Sequence, residues 1–76
     1  MPFSNELLDE LSVLALFNLD TDLEGIKVHS TAGDGKVVAA KRLYEKGLTS
    51  QVDGGYLTSL GRTAAEHAQA LLQILR

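Results

Sequence analysis

Leu43-Tyr44-Glu45-Lys46-Gly47-Leu48-Thr49-Ser50-Gln51-Val52-Asp53-Gly54-Gly55-Tyr56-Leu57-Thr58-Ser59-Leu60-Gly61 is the stretch that decides the fold. Gly47 is a helix stop, placed where the chain must enter the left-handed region that glycine alone occupies cheaply. Leu48 to Gln51 and Tyr56 to Thr58 form two short strands. Asp53-Gly54-Gly55 between them supplies the positive backbone angles of a tight hairpin turn. Thr58 or Ser59 is an N-cap, and the Ala- and Leu-rich run behind it is a helix reaching the C-terminus. The order is therefore helix end, hairpin, return helix.

Working outward, a helix precedes Gly47 over about Lys36 to Lys46. With Leu43 as the core direction and about 100° per residue, Ala39 and Ala40 face inward and Val37 and Tyr44 flank them. Val38, Lys41, Arg42 and Glu45 then face outward. Ser30 to Gly35 is a loop of small and polar residues. Thr21-Asp22-Leu23-Glu24 has the spacing of a capping box, yet Ile26-Lys27-Val28-His29 alternates like a strand. We follow the capping box and expect a short helix there, with the strand as the alternative. At the N-terminus Ser4 caps a helix expected to run to about Phe17, and Phe3 and Leu8 occupy the two positions of a hydrophobic staple.

The segment from Leu43 to Leu48 resembles the end of the recognition helix in winged helix-turn-helix regulators of the MarR and related types. Tyr56-Leu57-Thr58-Ser59-Leu60-Gly61-Arg62 resembles the run with which such wings return to a helix. The resemblance covers residues 43–62, while Gly25, His29 and Thr31 stand where a helix-turn-helix wants apolar residues. The whole chain is also similar to a family of short, uncharacterised proteobacterial proteins, a likeness that implies no activity. The expected fold is thus α+β, mostly α and winged-helix-like, with three or four helices and one β-hairpin near residues 48–58, in a single domain over residues 1–76. For the nucleic-acid reading, the resemblance implies that the third helix enters a groove. Lys41 and Arg42 would then reach phosphates or guanine edges, and Lys36, Lys46 and Arg62 would complete the phosphate-facing set.

The bulk properties bound the alternatives. A chain of 76 residues buries roughly 60–65% of its unfolded surface, so a lone monomer is marginal. Without cysteine, disulfides and thiolate metal sites are excluded, which leaves a partner subunit as the usual support. The first helix from Leu7 to Phe17 and the last from Ala64 to Leu75 carry more apolar surface than so small a chain can hide. A homodimer through these terminal helices is the expectation. Ala64, Ala68, Leu71 and Leu75 are expected on one stripe, with Ala65 and Leu72 beside it.

Charge is unevenly placed. The net charge is −3. Residues 1–25 hold six acids and no Lys or Arg, while residues 26–62 hold six bases against three acids. The expected wing, from Gln51 to Gly55, has no base and carries Asp53 at its tip, which repels phosphate. Two readings stay open: a DNA-binding or regulatory winged helix, and a protein-interaction or scaffold module that does not bind DNA.

No catalytic, cofactor or metal site is expected. Asp20-x-Asp22-x-Glu24-Gly25 begins like a calcium loop, but the twelfth position, which needs a bidentate Glu, is Thr31. Gly33-Asp34-Gly35-Lys36 is too short between its glycines for a phosphate loop, and Val37 follows the Lys. His29 and His67 stand apart, and His67 is expected at the edge of a helix interface. No small-molecule ligand is evident, and so short a chain leaves little room for a pocket of the usual size. Met1-Pro2-Phe3-Ser4 has no signal-peptide character, no run approaches the ~20 apolar residues of a membrane span, and a cytoplasmic, bacterial protein is expected.

Overall fold

The computed structural model describes residues 3–21, 23–29, 31 and 33–76. Helix α1 spans Asn5–Leu14, strand β1 Ile26–Lys27, helix α2 Asp34–Glu45, strand β2 Thr49–Gln51, strand β3 Gly54–Leu57 and helix α3 Ser59–Leu75. The strands form one antiparallel sheet in the order β1-β3-β2. This is the α+β, mostly helical fold expected from the sequence, with three helices and the hairpin in place.

α1 starts as read. The Ser4 side chain accepts from the Leu7 amide at 3.1 Å. The helix ends at Leu14, three residues before the expected Phe17. From α3, Gln69 Nε2 donates to the Leu14 carbonyl at 3.2 Å and to that of Phe17 at 2.8 Å. Carbonyls that a longer helix would satisfy are met from outside, so the chain can turn there.

The segment from Thr21 to His29 corrects the sequence reading. Asp22, in the expected capping box, lies outside the described residues, as do Ser30 and Ala32 of the expected loop. Thr21 Oγ1 accepts from the Leu23 amide at 3.1 Å, and Glu24 Oε2 accepts from Asn18 Nδ2 at 2.9 Å, so both box residues serve local turns. Ile26 and Lys27 then pair with Gly55 and Gly54, and the Val28 amide donates to the Asp53 carbonyl at 2.8 Å. Pairing buries Val28 and half-buries Ile26. A helix through Gly25 would have no continuous apolar face to bury. Among the described residues there is no α-helix between α1 and α2. The hairpin half is compatible with a winged layout, and among the described residues the expected second helix of a helix-turn-helix is absent.

At Gly47 the backbone turns left-handed, with φ of 80°. The Leu48 amide reaches back to the Leu43 carbonyl at 2.9 Å and that of Gly47 to Tyr44 at 3.0 Å, which satisfies orphan carbonyls of α2. The turn of the hairpin is Val52-Asp53. Gly54 and Gly55, expected as part of the turn, open β3 instead, and the register slips by one residue between the Thr49 and Gln51 pairs. Such a bulge accommodates the positive φ of Gly55.

The core is small. Val13, Leu14, Phe17, Val28, Ala39, Ala40, Leu43, Ala65 and Ala68 are buried, and Leu43 and Val13 are the largest fully buried side chains. Ala39, Ala40 and Leu43 occupy the inner face of α2 as expected. On α3 the expected stripe divides. Ala68 turns inward with Gly61 and Ala65, while Leu71 and Leu75 are exposed.

Candidate interaction surfaces

Glu10 organises the surface between α1 and α2. It is only 6% exposed, and a buried carboxylate must be paired and hydrogen-bonded to be tolerated. Arg42 Nε donates to its Oε2 at 3.2 Å, and Lys46 Nζ contacts its Oε1. Arg42 Nη2 also donates to the Glu6 carbonyl at 2.9 Å. Six residues before Arg42 on α2, Lys36 Nζ lies 3.8 Å from Asp9 Oδ1. Two bases of α2 and its C-cap Lys46 thus meet two adjacent acids of α1, Asp9 and Glu10.

This places the five expected DNA contacts. Arg42, expected outward, is half-buried and lies along α1. Its Cα sits about 100° around the helix from Leu43, where a long side chain can swing to either side. The carboxylate of Glu10 decides which. Lys36 and Lys46 point to the same acidic helix. Arg62 Nη2 donates to the Leu19 carbonyl, in the segment between α1 and β1. Among the described residues, Lys41 is the one member of the five whose side chain has neither a hydrogen bond nor an ion pair. Three of the five thus gather along α1, Arg62 meets the segment after it, and Lys41 is exposed.

The solvent face of α2 consists of Asp34, Val37, Val38, Lys41, Tyr44 and Glu45, all exposed. One base stands there between two acids and three apolar side chains. At the wing, Val52 is exposed, and no Lys or Arg lies between Thr49 and Leu57. The outer face of α2 thus carries one base and the wing none.

The junction of wing and return helix explains the Tyr56–Arg62 run as structure. The Thr58 hydroxyl accepts from the Gly61 amide at 3.0 Å and so caps α3, and the Thr58 amide donates to the Leu48 carbonyl at 3.1 Å. Gly61 lies against the backbone of Leu48 so closely that a Cβ there would overlap the Leu48 carbonyl.

The larger exposed feature is apolar. Leu60, Leu71, Ile74 and Leu75 on α3 are each at least half exposed. On the other side, Leu8, Leu11, Ser12 and Ala15 of α1 with Leu72 and Arg76 line an open groove of about 390 Å³.

Comparison with known proteins places the chain as a whole. The chain belongs to DUF5669, a family of unknown function. The family model matches residues 1–76. No curated protein and no solved structure matches the chain. Among the described residues no group of three or more His, Cys, Asp or Glu could hold a metal ion, and no helix is long and apolar enough to cross a membrane. The helix-and-wing layout is therefore a property of this fold and not of a demonstrated winged-helix family.

Sequence reasoning missed Glu10 and Asp9 as partners of the bases. The signal was present in the acid-only first third and the base-rich middle, two segments of opposite sign in a chain too short to keep them apart.

Proposed function

We propose that the protein is a non-catalytic interaction module that self-associates through its terminal helices and does not use α2 to bind DNA. The observation that carries this reading is the capture of Arg42 and Lys46 by one buried carboxylate, Glu10. Turning these bases toward phosphate would leave Glu10 buried without its partners, at a cost that a surface phosphate contact does not recover. Self-association is supported by the four large apolar side chains that α3 leaves exposed. Fully burying one such side chain stabilises by about 1.5–3 kcal/mol. Counted on both chains, even partial burial approaches the estimated 4–15 kcal/mol of lost freedom that association must overcome.

The second reading, a DNA-binding or regulatory winged helix, has one observation in its favour. The α2-β2-β3-α3 order is compatible with a helix and its wing, and Lys41 is free on the outer face. An anisotropy titration of random duplex at about 50 mM salt separates the two, since non-specific binders reach the micromolar range under such weak screening. The expected result is no binding at micromolar protein. Binding that weakens steeply with salt, and that Lys41→Ala flattens, would overturn the interaction-module reading in favour of DNA.

A further inference from the structure

β1 lies at one edge of the sheet, and among the described residues β3 is the strand that pairs with it. The Val28 amide donates to the Asp53 carbonyl. Residues along an antiparallel ladder direct their backbone groups to its two sides alternately. The N–H and C=O of Lys27, one residue earlier, therefore turn outward, away from β3. That edge borders a groove of about 330 Å³ lined by Leu16, Lys27, Val28, His29, Thr31 and Lys36. Successive strand residues point to opposite faces. Lys27, Val28 and His29 can all line one groove because it runs along the edge of the strand.

The groove has apolar walls and a basic margin. Leu16, 58% exposed, and Val28, buried, supply the walls. Lys27 and His29 are exposed, and Lys36 near the start of α2 lies 3.8 Å from Asp9. Among the described residues Lys27 makes no ion pair. None of the six lining residues is an Asp or Glu.

We propose that this edge takes up an extended, acidic segment of a partner protein as a fourth strand. The register sets the chemistry of that segment. Lys27 and His29 are two residues apart and share one face of the strand, while Val28 has the other. Residues placed opposite Lys27 and His29 lie on their face, where opposite charges attract, so both are Asp or Glu. The residue between them points to the side of Val28 and is apolar. The fitting order is acid, apolar, acid. Main-chain bonds to Lys27 hold any added strand, and the side chains select among them. A basic segment meets like charge and is turned away. The edge is distinct from the exposed face of α3, so this inference goes beyond the self-association reading, and either can fail without the other.

A nuclear magnetic resonance titration of the full chain tests the proposal with two peptides. One is acetyl-Thr-Asp-Leu-Glu-Thr-amide, and the other has Lys in place of both acids. The acidic peptide should bind with a Kd of about 0.1–2 mM, as suits a short segment with one apolar anchor. It should shift the amides of residues 26–29 and slow hydrogen exchange at the Lys27 amide. Leu16→Ser and Lys27→Glu should each raise the Kd at least about threefold. Both side chains are exposed, so the spectrum of each free variant should keep its dispersion. The basic peptide should leave the spectrum unmoved to about 5 mM. No shift with the acidic peptide, equal binding of the basic one, or an unprotected Lys27 amide overturns the proposal. So does a concentration-dependent shift of the same amides in the protein alone that Leu23→Ser abolishes. The chain's own Asp22-Leu23-Glu24 has the fitting order, with Leu23 87% exposed, and that result makes a second copy the occupant.

Discussion

The hydroxyl of Thr58 donates to the carbonyl of Gly47 at 2.6 Å. One side chain at the start of α3 thereby closes the end of α2, eleven residues earlier, while the same oxygen accepts the Gly61 amide. The two strands between are held at both ends. Replacing Thr58 by Val removes the cap and the clasp together and should destabilise by about 2 kcal/mol, whereas Thr58→Ser keeps the oxygen and should cost under ~1 kcal/mol. Urea unfolding of the two variants at one fixed concentration measures the difference. Equal losses would mean that the methyl group, not the hydroxyl, holds the junction.

Gly61 gives a test by sign. In an ordinary helix interior, Gly→Ala stabilises by about 1 kcal/mol. Here the added Cβ meets the Leu48 backbone, which no side-chain rotation can relieve, so α3 must shift away from the sheet. Gly61→Ala should destabilise by about 1–3 kcal/mol. A stabilised variant in the same unfolding assay would show that α3 does not approach the hairpin this closely.

Gly47 differs, because nothing lies within 4 Å of the position its Cβ would take. The cost of Gly47→Ala is the left-handed backbone alone, about 1 kcal/mol. Gly47→Asn should cost less, since Asn tolerates that region better. Chemical denaturation that ranks Ala and Asn alike would count against a left-handed Gly47.

Glu10 links two helices through two bases. Glu10→Ala leaves Arg42 and Lys46 without their carboxylate, but the side chain of Arg42 is 24% exposed and that of Lys46 53%, so both can turn toward water. The loss should be about 1–3 kcal/mol, below that for a fully buried pair. Pairing Glu10→Ala with Arg42→Ala in a double-mutant cycle should give a coupling above ~0.5 kcal/mol. Additive losses would reduce the ion pair to a neighbourly contact.

How much of this was legible beforehand follows from where the information sits. Gly47, the Thr58 cap and the glycine pair at 54–55 are local chemistry, so the order of helix, hairpin and helix could be read directly. β1 could not, because a two-residue strand has no period of its own. It exists through pairing with Gly54 and Gly55, nearly thirty residues away. A helix start at Thr21 was the stronger local signal, and the partner strand overrode it. The direction of Arg42 was hidden for a similar reason. Periodicity locates Leu43 and what lies opposite it, but a side chain at the margin follows the charge on another element. The five bases were found as a charge-rich segment, and what they face was decided by α1. On α3, alanine and leucine were given one stripe because both are apolar. The structure turns Ala65 and Ala68 toward the domain and leaves Leu71 and Leu75 exposed.

That separation ties the fold to its surroundings. Gly61, Ala65 and Ala68 offer few atoms to the rest of the chain, so α3 gains little from its own domain per residue ordered. If the larger side chains find their contacts on a neighbour, folding and assembly become one linked equilibrium. The midpoint of thermal unfolding should then climb with protein concentration, and a melting temperature for this molecule has meaning only alongside the concentration at which it was taken.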